Sequence, residues 1–415
     1  MEIFGPISIL YLLATSIAIY YRPNIIIGVQ LFATPIFGLA LKSLGIGIGS
    51  VFTILGLTAF SLFLTVRRNR LSVLPQTASE IAILVFILWM AVTLIYTPSP
   101  NYGTAKIIKM LAISFPYVYI SRVYCGTPEK MQKVFVNVGW MAVFYAIFFI
   151  VYLIVNPSET SRIRSDFFGP LTLGYISVSM IPFIFAAGIY TRGPLRIIAI
   201  ATIPFVINVM VSTGSRGPLL ALVVGTTLAL LRFQKLFRVF IGLSVVAIGG
   251  YIYTRKGLQS DNKSLERIFG QNEVGAGGTA SDGRSNHFSS AIEQFLQYPL
   301  FGQGSGSYSI FVLQFDTRYY AHNIFLSIAG ELGLVGLVII GTVVTMSLLQ
   351  IQLLRRHSSR LFNRYYWVIA CTQALFVMGL INSLLSFDLP TQRILYVAIG
   401  LLAATTKWYK KVPSN

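Results

Sequence analysis

The sequence is poor in charge, in acidic residues, in histidine and in cysteine, and each shortage removes a class of protein. Only 11% of its 415 residues are charged while 55% are hydrophobic, and the mean hydropathy is +0.73, which excludes an ordinary soluble domain. Acidic residues number 13 against 32 lysines and arginines, for a formal charge of +19. In a soluble protein that imbalance would point to nucleic acid. In so apolar a chain most of it belongs to membrane topology and anionic headgroups, so membrane lipids are expected partners and nucleic acid is not. The two cysteines, Cys125 and Cys371, fall at different expected depths, which argues against a disulfide. The histidines, His287, His322 and His357, have no ligand spacing among them, so no zinc is expected. The glycines at 302, 304 and 306 have the spacing of a phosphate loop, yet no strand precedes them and no GKS/T follows. A tight turn with close backbone packing is the better reading, and no nucleotide or other cofactor is expected. A charged leader with a cleavage site is also missing, so insertion through the chain's own helices is expected.

What the chain does have is apolar runs of membrane-spanning length from end to end. They fall near 5–21, 24–42, 45–66, 80–97, 106–121, 134–155, 168–190, 197–213, 218–231, 239–254, 322–350, 366–385 and 392–406. The fold class is therefore all-α: a polytopic membrane protein of about 12–13 transmembrane helices, forming one integral membrane domain over 1–415. Weak breaks at Arg22-Pro23 and Lys42-Ser43 separate the two counts, and no internal repeat is visible. Basic clusters alternate along the chain: Arg67, Arg68 and Arg70; Arg122, Lys130 and Lys133; Arg192 and Arg196; Arg232, Lys235 and Arg238; Arg355, Arg356, Arg360 and Arg364; Lys407, Lys410 and Lys411. The positive-inside rule assigns their side to the cytoplasm. Residues 255–321 then form an outer loop between spans, on the same face as the turn at 213–217 and as His322. Arg216, Arg255, Lys256, Lys263, Arg267, Arg284, Arg318 and Arg393 are basic residues on that disfavoured outer side, as if an anion there required them.

Three places on the outer face could carry chemistry. In STGSRGPLLAL, Arg216 stands where Thr213, Gly214 and Ser215 turn the chain and Pro218 suits the first turn of the next helix; a guanidinium beside a positive helix end is a phosphate site, against the blander reading that Arg216 snorkels to headgroups. Residues 285–298 have a helical period with Phe288, Ala291, Ile292, Phe295 and Leu296 on it, so an amphipathic helix at the membrane surface is expected, with Arg284 near its start. His322 and Asn323 open the string AHNIFLSIAGELGLVG at the mouth of a long apolar helix. A lone histidine there is more often a satisfied polar residue than a catalyst. Glu331 follows by nine residues, two and a half helical turns, which puts it on the opposite face from His322 and makes a buried partner its expected role. Asp282, Asp316 and Asp388 are outer carboxylates that could each orient His322, and nothing in the sequence selects among them.

With these residues assembled, the chain resembles the bacterial O-antigen ligase and O-antigen polymerase superfamily, closest to the ligases. Arg216-Gly-Pro-Leu-Leu220 is similar to the family's arginine, three residues, leucine motif. His322-Asn323, nine residues, Gly333 and then Gly336 is similar to the ligase histidine motif. Gly283-Arg284 and Tyr298-Pro-Leu-Phe-Gly302-Gln-Gly304 resemble the element that precedes it. The likeness covers 211–336, with a weaker echo over 388–400, and departs at His287, where an aromatic residue is expected. It implies a GT-C-like glycosyltransferase of the bacterial inner membrane with its site on the periplasmic face, inverting and independent of metal. The donor would be a glycan on undecaprenyl pyrophosphate, and the acceptor lipid A core oligosaccharide or a second lipid-linked glycan. His322 would act as general base, Arg216 and Arg284 would stabilise the leaving pyrophosphate, and Arg318, Asn323 and Ser215 would bind substrate.

A polymerase of O-antigen, capsule or exopolysaccharide is the alternative within the superfamily. The complete histidine motif and compact outer loop favour the ligase, and the nine residues after the last span disfavour a protein glycosyltransferase. A flippase of lipid-linked oligosaccharide is the alternative from another class; it would spread charge along a central cavity between pseudo-symmetric halves, whereas the polar residues here gather on one outer face.

Overall fold

The computed structural model describes residues 4–32, 36, 50–69, 75–155, 170–230, 280–356, 365–386 and 388–409. Every regular element among them is helical. In chain order these are α1 (Phe4–Tyr21), α2 (Ile26–Phe32), α3 (Ser50–Asn69), α4 (Ala78–Val92), α5 (Pro100–Lys109), α6 (Phe115–Tyr124), α7 (Pro128–Val155), α8 (Pro170–Tyr190), α9 (Pro194–Ser212), α10 (Arg216–Leu230), α11 (Ala280–Gln297), α12 (Tyr308–Leu313), α13 (Ile324–Arg356), α14 (Tyr366–Leu385) and α15 (Arg393–Tyr409). Six stretches among the described residues are long and apolar enough to cross a bilayer: Ala78–Ile95, Pro128–Tyr152, Leu171–Tyr190, Pro194–Ser212, Ile324–Leu354 and Tyr366–Leu385. The chain is a multi-pass membrane protein. The run expected over 106–121 is α5 and α6 joined by a π-helical turn, Met110–Ser114, and that over 218–231 is the 15-residue α10. The span expected over 239–254, the second half of that over 24–42, and Arg255, Lys256, Lys263 and Arg267 lie outside the described residues.

The helices sort into two compact units. In the first, α7, α8 and α9 pack as neighbours, and small residues let their backbones approach. A Cβ on Gly139 would lie 2.2 Å from the Phe183 carbonyl oxygen, and one on Gly188 2.8 Å from Ile200. Without water to drive association inside a bilayer, such close packing is what holds helices together. The Phe135 and Phe183 rings meet at 4.8 Å, tilted by 32°, and Tyr365 donates to Glu129 at 2.8 Å. The two cysteines are buried and form no disulfide.

In the second unit, α4 packs on α13, α11 on α13, and α15 on α13 and α4. A capping box starts α4: the Thr77 hydroxyl accepts from the Glu80 amide at 3.3 Å and Glu80 accepts from the Thr77 amide at 3.1 Å. Glu80 is also the ion-pair partner of Arg122, which reaches Gln76 at 2.9 Å. Arg122 is therefore buried, although its place among the basic clusters gives it a solvated loop.

The long helix α13 is broken at Gly333 (φ 66°, ψ −162°). Breaking a helix inside a bilayer frees amides and carbonyls that must find other partners. The loop after α11 supplies them. Gln303 N donates to Gly330 O at 3.1 Å and Gly304 N to Glu331 O at 2.8 Å, while Leu334 N donates to Pro299 O at 2.8 Å and Val335 N to Leu300 O at 3.2 Å. Trp89 of α4 donates to the Leu332 carbonyl at 3.2 Å. The expected tight glycine turn is thus the plug of a broken helix.

Candidate functional site

His322 does not ride on α13. It precedes the helix with φ 57°, a left-handed conformation that few residue types other than glycine adopt. Asn323 is the cap: its Oδ1 accepts from the amides of Phe325 at 2.9 Å and Leu326 at 3.1 Å. The half-turn count to Glu331 therefore starts from a residue outside the helix, though the two do stay apart. The His322 imidazole is half-buried, with the Tyr320 ring at 4.7 Å and the His287 ring at 5.2 Å.

His287 lies on α11 and is held by tyrosines. The Tyr308 hydroxyl donates its one proton to the His287 carbonyl at 3.0 Å, so across the 3.1 Å contact Nδ1–H of His287 donates to the Tyr308 oxygen. Nε2 then accepts from Tyr319 at 3.4 Å. Tyr308 and Tyr319 stack at 5.9 Å and close around Ala291 and Ala321. Burial holds the His287 imidazole below its usual pKa range. Arg318, exposed, lies over the Tyr320 ring at 5.8 Å.

The expected apolar stripe of α11 is only partly the buried one. Ala291 is sealed, but so is Gln294, whose amide donates to Gln303 at 2.8 Å and Ser307 at 2.9 Å. Ile292 and Leu296 point outward, and exposed Leu300 and Phe301 continue that apolar surface. The helix turns Gln294 to its own loop and Ile292 and Leu296 away, beside exposed Glu293 and Gln297, an amphipathic outer surface of the kind that suits a membrane interface. Arg284 belongs to its second turn; the side chains of Arg284 and Asp282 are outside the described residues.

Of the other outer carboxylates, neither Asp316 nor Asp388 is given over to His322. Asp316 caps α5, whose own cap residue Ser99 makes no capping bond: it accepts from the Asn101 amide at 2.8 Å, the Tyr102 amide at 3.0 Å and the Ser99 hydroxyl. Partial burial opposes its ionisation, and these hydrogen bonds outweigh that, keeping it below the usual carboxylate range. Asp388 joins Glu331 around Lys106. Lys106 Nζ lies 2.9 and 2.8 Å from the two Glu331 oxygens and 3.3 Å from Asp388, and all three side chains are at most 2% exposed. Glu331 has the buried partner expected of it. Lys106 and Asp388 as its neighbours went unrecognised in the sequence, where the available signal was a lysine and a glutamate of opposite sign, each within an otherwise apolar run.

Arg216 belongs to the other unit, where it is exposed as the first residue of α10. The preceding turn is built as its residues lead one to expect: Gly214 has φ 64°, the Thr213 hydroxyl donates to Met210 O at 2.7 Å and accepts from the Ser215 amide at 3.3 Å. The α8 residue Gly174 makes room for the turn, since a Cβ there would stand 3.0 Å from the Thr213 hydroxyl and 3.1 Å from Pro218. His322, His287, Arg318 and Asn323 thus come together in the second unit, and Arg216 and Ser215 together in the first.

Residues 200–341, which contain Arg216, Arg284, His322, Gly333 and Gly336, match a protein-family model described as O-antigen ligase. No curated protein matches the chain.

Proposed function

We propose, starting from a membrane protein that carries an O-antigen ligase domain over 200–341, that it transfers a glycan from undecaprenyl pyrophosphate to lipid A core oligosaccharide at the periplasmic face of the inner membrane. The observation that carries this reading is His322, held in a left-handed conformation beside a capped helix and walled by Tyr320 and His287, inside the matched domain. In the proposed step the acceptor hydroxyl oxygen attacks the anomeric carbon from the face opposite the phosphate. The new C–O bond forms as the bond to the pyrophosphate oxygen breaks, so configuration inverts. His322 takes the hydroxyl proton, a contribution of about 10²–10⁴-fold.

Charge developing on the pyrophosphate falls to Arg216 and Arg284, the task a divalent cation performs in many transferases. Arg318 and Ser215 are substrate contacts in this scheme. Asn323 commits its Oδ1 to the helix cap, so its substrate contact falls to Nδ2. The test is transfer by purified protein from a lipid-linked glycan to rough lipopolysaccharide with EDTA present. Wild type is expected to label lipopolysaccharide, with His322→Ala and Arg216→Ala each folded and at least about a hundredfold slower. Longer lipid-linked glycan as the product would make the protein a polymerase. Undiminished activity in His322→Ala would end the general-base assignment.

A further inference from the structure

The Lys106 cluster holds two carboxylates around one ammonium, sealed from solvent. Stability alone does not call for that composition. Buried charge is costly, neutrality needs one carboxylate, and well-packed neutral groups are often as stable as a buried ion pair. Asp388 already has other ties, from the Leu389 amide at 2.8 Å and the Tyr102 hydroxyl. Glu331 is the surplus, and its contacts show where it acts.

One oxygen of Glu331 accepts from the Gly306 amide at 2.9 Å, while its backbone carbonyl accepts from Gly304 N at 2.8 Å. This residue therefore grips the loop twice, two positions before the helix break. Lys106 holds Glu331 from α5, and one turn earlier on α5 the backbone of Gly103 lies against the same loop. A Cβ on Gly103 would stand 2.4 Å from Ser305 O, and one on Gly306, where φ is 81°, 2.7 Å from Gly103 N. Two residues beyond Gly306 stands Tyr308, whose hydroxyl fixes His287, whose ring in turn flanks His322. Asp316 pins the far end of this segment to the start of α5.

We propose that Lys106 and Glu331 are positioning residues for the His322 site: the buried pair sets the height of the 302–308 loop against α5, and through Tyr308 and His287 the orientation of the His322 imidazole. The inference rests on the assignment of His322 as the base, and it is tested with a readout that does not. Glu331→Gln in the full-length protein in nanodiscs keeps the volume, still offers an oxygen to Gly306 and leaves Lys106 balanced by Asp388. Its thermal midpoint is expected at or above the wild-type value. Its kcat for transfer from undecaprenyl-pyrophosphate glycan to rough lipopolysaccharide is expected about ten- to a hundredfold lower, with donor KM within about twofold, as displacement of a reacting group entails.

Independently of turnover, the rate at which diethylpyrocarbonate modifies His322, quantified by mass spectrometry against His357, is expected to change several-fold. Tyr308→Phe should reproduce that change, and adding it to Glu331→Gln should bring no further effect, as for two sites on one route. A folded Glu331→Gln with wild-type kcat and wild-type His322 reactivity overturns the proposal, and so do strictly additive effects of the two variants. Should Glu331→Gln fail to fold, Tyr308→Phe decides alone, and unchanged His322 reactivity there overturns it. If wild type transfers no glycan, the functional reading has failed, while the histidine comparison still settles the positioning.

Discussion

His287 donates from Nδ1 to Tyr308 and turns Nε2 toward Tyr319, so its protonation places a cation in a partly buried aromatic cluster beside His322. Burial depresses its pKa relative to the unfolded chain, where an imidazole titrates near about 6.5. Between those two values the unfolded state binds more protons, so this residue's contribution to stability is intact above the unfolded pKa and declines as pH falls through it. Tyr308, Tyr319 and His322 are the titratable side chains in ring contact with it. Lowering the pH from about 7.5 to about 5 should reduce the thermal midpoint of wild type more than that of His287→Phe, which keeps an aromatic ring without the proton. Equal losses in the two proteins would show that His287 does not titrate in this range. The sequence marks His287 as a departure from an expected aromatic, and the geometry shows why a ring serves there. Its tyrosine partners, 21 and 32 residues away, could not be read from spacing.

At the scale of elements, the break in α13 separates two glycines of one helix. Gly333 has φ 66° with ψ −162°, a region open essentially to glycine, and a Cβ there would stand 2.4 Å from Leu300 O and 2.5 Å from Gly302 N. Gly341, two turns on, would meet nothing within 4 Å. Gly333→Ala is expected to cost at least about 1–3 kcal/mol, read as a lower thermal midpoint and a smaller folded yield. Gly341→Ala should be neutral or stabilising by up to about 1 kcal/mol, since alanine is the better helix former. Comparable losses in both would mean that the break does not constrain Gly333. Several helix boundaries were legible because apolar runs and caps are local signals: the bounds of α1, α8, α9, α10, α14 and α15 fall within three residues of the runs seen in the sequence. The break was not legible, because apart from Glu331 the stretch 324–349 reads as one uninterrupted membrane span and only the loop's exchanged hydrogen bonds make interruption tolerable.

For the whole molecule, the alternation of basic clusters assigns Arg192 to the cytoplasm and the α11 helix to the outer face. Asn286 and Arg192 are both exposed and the two native cysteines are buried, so background labelling should be low. A membrane-impermeant maleimide is expected to label Asn286→Cys in intact spheroplasts and Arg192→Cys only after permeabilisation; the reverse pattern would invert the topology and put His322 on the wrong side for a periplasmic acceptor. Hydropathy was enough to establish a helical membrane protein, because it is a sum over neighbouring residues, and the arginine and histidine motifs fall within the 200–341 segment that matches the O-antigen ligase family model. The tertiary structure alone decided that Lys106 meets Glu331 across 225 positions, that Asp316 and Asp388 have partners of their own, and that His322 stands outside its helix. Which distant charges pair, and where a helix can be interrupted, depends on what topology brings within hydrogen-bond reach, and a one-dimensional pattern does not contain those distances.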